Sequence, residues 1–150
     1  MADIEVNLTN NAKEVLDALD EQIEKALIAI GMTAETYAKL PEGGGGHTPV
    51  DTGRLKNSIT YAIAGQPPHI QSYSADKNDK DGKNESGSYS GNAPQDAGGK
   101  ARSVYIGSNV EYAAEVENGT AGRAGKHFMR LAITEHIDEY KNLTEQALKS

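Results

Sequence analysis

Between Val50 and Ile63 the apolar pattern changes its period within a few residues. Upstream, apolar residues return every three or four positions, as on one face of a helix. Downstream, Ile59, Tyr61 and Ile63 alternate with Ser58, Thr60, Ala62 and Ala64, as in a strand with one buried face. A chain that switches this abruptly turns a corner, with Pro49 leading the turn and Asp51 and Gly53 inside it. Asp51 or Thr52 is placed to cap one short helical turn through Leu55, because either side chain accepts hydrogen bonds from N–H groups ahead. Asp51-Thr52-Gly53 also matches the nucleophile loop of a dimeric aspartic protease, in which two subunits share a proton between carboxylates. Context favours a structural corner. Such a loop follows an apolar strand in an all-β barrel, whereas this one follows Gly43-Gly44-Gly45-Gly46-His47-Thr48-Pro49 in a chain that opens and closes with helical patterns.

The upstream pattern predicts a long helix from Asn11, whose apolar stripe is Val15, Leu16, Leu19, Ile23, Leu27, Ile30, Ala34 and Ala38. Asn11 and Glu14 have capping-box spacing, and Leu40-Pro41 with the glycine run ends the helix. The glycine run lacks the Gly-Lys-Ser/Thr ending of a phosphate loop and is read as a hinge. Gly31 marks a weak point or a close packing contact. Before Asn11, Ile4, Val6 and Leu8 alternate weakly, as a short strand or a lead-in arm. With one phenylalanine, seven tyrosines and no tryptophan, the core must rest on Ile, Leu, Val and Ala, and 150 residues suffice for one domain.

Residues 65–100 are dominated by Gly, Ser, Asn, Asp and Lys, too polar to offset the entropy of ordering them. They are expected to form a flexible excursion, with Ile70, Tyr73 and Tyr89 available to anchor a hairpin. A second strand is predicted at Ser103–Gly107. Ser108 and Glu111 have capping-box spacing ahead of a short helix through Tyr112, Ala113 and Val116, which Asn118-Gly119 stops. A final helix is predicted from about His127 to Lys149, with Phe128, Leu131, Ala132, Ile137, Tyr140, Leu143 and Ala147 on its apolar stripe. The fold class is therefore α+β: a small antiparallel sheet packed against two long helices, in one domain with a polar insertion at about 65–100.

The chemistry-bearing residues are sparse. The chain has no cysteine, so thiolate metal sites and disulfides are excluded. His47, His69, His127 and His136 lack metal-ligand spacing. The acidic run near Asp79 and Asp81 places Lys77 and Ser88 where a calcium loop needs carboxylates. No cofactor is expected. A net charge of −7 argues against a basic nucleic-acid-binding domain, and neither a signal-peptide core nor a membrane-spanning run is present. Arg123, Lys126, His127 and Arg130 gather at the start of the last helix, where the helix dipole disfavours positive charge. Either acidic residues of a neighbouring element neutralise them, or they face an acidic surface of another subunit or a passing nucleic acid.

Three blocks carry a family resemblance: Pro49-Val50-Asp51-Thr52-Gly53-Arg54-Leu55 with Ser58-Ile59, then Tyr112-Ala113-Ala114-Glu115-Val116-Glu117-Asn118-Gly119-Thr120, then His127-Phe128-Met129-Arg130-Leu131-Ala132. In these the sequence resembles the phage tail-component family typified by the tenth gene product of bacteriophage HK97. It departs at Gly125-Lys126-His127, where the family usually has a proline before the aromatic, and in the length of its excursion. The resemblance implies a non-enzymatic head–tail joining or tail-completion subunit in the virion of a long-tailed phage, assembled in the host cytoplasm. It implies a ring, a hexamer, at the neck, in contact with the stopper or connector, the tail terminator and the tail tube, with DNA passing through the lumen and no membrane partner. A tail terminator or another minor tail component of the same family is the alternative. The expected contact residues are Arg54, Tyr112, Glu115, Glu117, Arg123, Lys126 and Arg130.

Overall fold

The computed structural model describes residues 2–50, 53–64, 70–75, 87–92 and 102–149, with side chains from residue 13 onward. Helix α1 spans Ala2–Lys39, about 57 Å at 1.5 Å per residue. It begins well before Asn11, so neither the weak strand at its start nor the Asn11 cap is formed. No glycine or proline interrupts residues 2–30, and a helix satisfies its own backbone where a lone strand has no partner.

The stripe of α1 is covered only toward its C-terminal end. Ala26, Ala34 and Ala38 are buried, whereas Val15, Leu16 and Leu19 are exposed. Past Lys39 the chain folds back on itself. Gly44 and Gly46 N–H groups donate to the Pro41 carbonyl, Thr48 N–H donates to Leu40, and the fully buried Thr48 hydroxyl donates to the Ala38 carbonyl. The glycine run is thus a closed turn, not the hinge its composition suggested, because Gly43 and Gly45 take left-handed φ and a Cβ at Gly46 would collide with the Leu40 carbonyl at 2.1 Å.

The corner is present. Gly53 takes φ 83, a left-handed value suited to glycine, and α2 (Arg54–Ser58) follows it. The N-cap position belongs to Gly53 and has no side-chain cap bond; Asp51 and Thr52 lie outside the described residues. Ile59 then turns to extended backbone and leads into β1 (Thr60–Ile63), which pairs antiparallel with β4 (Val104–Gly107), Thr60 opposite Gly107 and Ile63 opposite Val104. Between them, β2 (Ile70–Ala75) and β3 (Gly87–Asn92) form a second antiparallel pair with Tyr73 opposite Tyr89. The excursion therefore contains a hairpin held at two of the three expected anchors, while Ile70 is 71% exposed.

Helix α3 (Ala113–Asn118) is followed by a tight ribbon of β5 (Gly119–Thr120) and β6 (Arg123–Ala124), then by α4 (Phe128–Thr134) and α5 (Ile137–Lys149). The Ser108–Glu111 capping box is not made. Ser108 Oγ accepts the Val110 N–H and bonds Ser58 Oγ, and Glu111 is drawn away to Arg54. The last helix is broken in two. His136 N–H bonds Ile133 instead of Ala132, and the Tyr140 hydroxyl donates to the carbonyl of Ala132 at 2.5 Å. A hydroxyl eight residues along the chain thus takes the place of one helical bond.

The class is α+β as expected, but among the described residues the strands form three two-stranded ribbons instead of one sheet. Helix α1 packs on β1 and β4, and α4 and α5 pack on α1. The core gathers at the corner: Ala38, Leu55, Ile59, Val110, Ala113, Phe128 and Ala132 are buried together. Phe128, the chain's one phenylalanine, is 1% exposed and is the largest of them.

Candidate interaction surface

Arg54 opens α2 and is the most connected of the expected contact residues. Its guanidinium makes two bonds to the Glu111 carboxylate, at 2.9 and 2.8 Å. It lies over the Tyr89 ring at 4.3 Å and faces Tyr112 at 5.6 Å. Tyr89 in turn stacks on Tyr73, with centroids 5.5 Å apart. Asn57 on the same short helix donates to the Ser74 carbonyl at 2.6 Å. One turn of helix thereby staples the β2–β3 hairpin to the start of α3. The planar, forked cation suits this place because it can pair in its plane and stack across its faces at once.

Burial works against the Arg54 charge, but the Glu111 carboxylate and the Tyr73 hydroxyl more than offset it and hold the guanidinium above its ordinary range. Glu111 is held below the usual carboxylate range by a bond to its own backbone N–H and by Arg54. Burial pushes the Tyr73 hydroxyl up. The Arg54 side chain is 14% exposed and that of Glu111 69%, so this staple is buried at one end and wet at the other.

The second group lies along α3, the β5–β6 ribbon and α4. Gly119 takes φ 87, and a Cβ there would stand 2.6 Å from Gly125 N, so the ribbon closes only on glycine. Val116 and Glu117 carbonyls accept the Lys126 and His127 N–H groups, which extends the ribbon to the start of α4. There the Glu117 carboxylate accepts the Met129 and Arg130 N–H groups at 2.9 and 3.1 Å. A carboxylate on the first turn of α4 meets the positive end of the helix dipole and satisfies two N–H groups that the helix itself leaves open. His127 precedes that turn at φ 51. Proline, locked near φ −65°, could not adopt this value.

Of the seven expected contact residues, three are therefore committed inside the subunit: Arg54 to Glu111, Glu117 to the α4 terminus, and Lys126 to Glu42 at 3.3 Å. Tyr112 is half-buried beneath Arg54. Glu115, Arg123 and Arg130 face outward. The charge gathered at the start of α4 is thus neutralised in part by Glu117 and Glu42, leaving Arg123 and Arg130 exposed with no ion pair among the described residues. Sequence reasoning missed Glu111 and Tyr89 as partners of Arg54. Glu111 stands 57 positions away from Arg54, beyond any periodicity.

Elsewhere His47 bonds Glu135 at 2.7 Å, and His136 stacks on Tyr37 at 3.5 Å. Among the described residues no cluster of His, Asp and Glu could hold a metal ion, and no helix is long and apolar enough to cross a membrane. The acidic run at 76–81, His69 and the Asp51-Thr52 half of the protease motif lie outside the described residues.

Comparison with known families then identifies the chain. The model of the family described as "Bacteriophage HK97-gp10, putative tail-component" matches residues 6–119, from the first turns of α1 through α3. The chain belongs to this family. It is a tail component of a bacteriophage, and its place is in the virion. The matched span includes the Pro49–Ile59 block and all but the last residue of the Tyr112–Thr120 block; the His127–Ala132 block lies beyond it. No curated protein and no solved structure matches the chain.

Proposed function

We propose that this tail component is a head–tail joining or tail-completion subunit that forms a ring, a hexamer, at the neck of a long-tailed phage. It acts by contact and not by catalysis, and residues 65–100 are a polar insertion in one domain. The family match over residues 6–119 carries the reading. The site supports it: the charged side chains at the corner are spent on holding elements together, and Arg123 and Arg130 are left facing outward. In a ring each subunit shows a different face to each neighbour, and these two cations fit such a face. The stopper or connector, the tail terminator and the tail tube are its partners along the axis, with DNA in the lumen.

The mass of the species in solution, measured by light scattering with and without a tail-tube protein, tests the proposal. A ring mass in either condition supports it. Charge reversal by Arg123→Glu with Arg130→Glu should then reduce the ring to smaller species while the circular dichroism spectrum is unchanged. A monomer in both conditions rejects the ring. Asp51→Asn should leave assembly intact; loss of a proteolytic activity in that variant would instead favour the protease reading.

A further inference from the structure

The β2–β3 ribbon has one edge sealed and one open. Helix α2 packs on β2, and from it the Asn57 amide donates to the Ser74 carbonyl at 2.6 Å. Successive residues of an antiparallel strand turn their N–H and C=O groups to alternate edges. Ser74 faces α2, so Ser72 and Ile70 face that edge with it. Their register partners Ser88, Ser90 and Asn92 then turn theirs to the far edge of β3. Among the described residues no strand lies along that edge, and none of these three forms a backbone bond outside the ribbon. Open edges are normally guarded by charge, proline or a bulge. Here residues 70–75 and 87–92 contain no charged residue and no proline, in a chain that is 25% charged, and the register runs from Ile70–Asn92 to Ala75–Gly87 without a bulge.

The sequence of the edge says what fits it. Gly87-Ser88-Tyr89-Ser90-Gly91 reads the same in both directions about Tyr89. An antiparallel strand of the same sequence, centred on Tyr89, sets Ser88 opposite Ser90 and Gly87 opposite Gly91. The residues that meet as Ser88–Ser90 pairs are those whose N–H and C=O groups already turn outward, so each such pair can exchange both of its backbone bonds. The Tyr89 rings come together on the face where Tyr73 and Tyr89 already stack with centroids 5.5 Å apart, and serines meet serines on the other face. No charge opposes another anywhere along the seam. We propose that β3 pairs with β3 of a second copy about a two-fold axis at Tyr89, joining two ribbons into one continuous sheet. This goes beyond the ring reading and does not depend on it, because a two-fold contact joins one subunit to one other and closes no ring.

Amide exchange reads the edge directly. The Ser88 and Ser90 N–H groups should exchange about tenfold or more slower in concentrated than in dilute protein, while the Tyr89 N–H, turned toward β2, is protected equally in both. The chain has no cysteine, so the register can be trapped. Ser88→Cys mixed with Ser90→Cys should give a dimer on a non-reducing gel after treatment with oxidised glutathione. Neither variant alone should, because two copies of position 88, or of position 90, lie diagonally at about 7–8 Å, beyond the reach of a disulfide. Ser88→Glu with Ser90→Glu, both at exposed positions, should weaken the pairing about tenfold or more, and mixing that chain with Ser88→Lys, Ser90→Lys should restore it. Cross-linking by either cysteine variant alone overturns the register. Exchange that ignores concentration, with a solution mass unmoved by the two glutamates, overturns the pairing, and a ring mass in that case leaves the ring standing. Slowing at Ser88 and Ser90 that requires added tail-tube protein gives the edge to that partner and overturns self-pairing.

Discussion

Replacing Gly31 by alanine sets two effects of opposite sign against each other on one residue. Within a helix the change should stabilise by about 1 kcal/mol, since alanine restricts the unfolded chain and covers its own backbone. The tertiary structure opposes it. A Cβ at position 31 would stand 2.5 Å from Tyr61 Cδ2, 2.8 Å from Tyr61 Cγ and 2.9 Å from Val104 Cγ2. Carbon atoms prefer about 3.5–4 Å, so the neighbours must retreat by up to about 1 Å. They cannot do so by swinging a flexible tip. Cγ is the root of the tyrosine ring, and Tyr61 and Val104 sit in the paired strands β1 and β4, opposite Ile106 and Ile63. Overpacking of this kind costs about 1–3 kcal/mol, and here it falls near or above the upper end because two strands are involved. Gly31→Ala should therefore lose about 1–2 kcal/mol net, lowering Tm by about 3–6 °C for a chain of this length. Thermal unfolding followed by circular dichroism measures it, with urea unfolding at unchanged m as a check. Adding Val104→Ala should restore part of the loss, because the two changes share one contact. A Gly31→Ala variant that gains stability would refute the close approach of α1 to the β1–β4 ribbon.

Arg54→Ala should cost about 2–3 kcal/mol in urea unfolding, since it removes two ring contacts and a bidentate pair, whereas Glu111→Ala should cost less than about 1 kcal/mol because its side chain is 69% exposed; equal losses would mean that the ion pair and not the stacking holds the hairpin. Arg54→Lys should lose most of the same stability despite keeping the charge, because an ammonium can neither fork to the carboxylate nor stack flat on Tyr89. Glu117→Ala should destabilise by about 1 kcal/mol and fray α4, seen as faster amide exchange at Met129 and Arg130. Burial pushes the Tyr140 hydroxyl up to about 12 from an ordinary 10.0. Its contribution is thus fully present below about pH 10 and lost as pH rises toward 12, so a urea midpoint should fall between about pH 10 and about pH 12, and fall less in Tyr140→Phe.

Much of this protein is legible in the order of its residues. The stripe from Val15 to Ala38, the stop at Leu40-Pro41, the corner at Gly53, the strands on either side of the polar insertion and the stop at Gly119 are all local: periodicity and turn chemistry act over a few residues, and those few residues are adjacent in the chain. The family resemblance is local in the same sense. What the sequence left open needed partners from far away. Gly31 was a weak point or a close contact, and Tyr61 and Val104 made it a contact. Ser108 and Glu111 had cap spacing, yet Ser58 and Arg54 took their side chains. The break in the final helix at Glu135-His136 has a nearer partner, the Tyr140 hydroxyl eight residues from Ala132, which periodicity alone does not reveal. The cations before α4 could have pointed anywhere until Glu117 and Glu42 claimed that end and left Arg123 and Arg130 outside. Short-range preferences select the elements; which side chains they spend on one another is settled only when segments distant in sequence meet, because each polar group goes to the partner that burial makes most costly to leave unpaired.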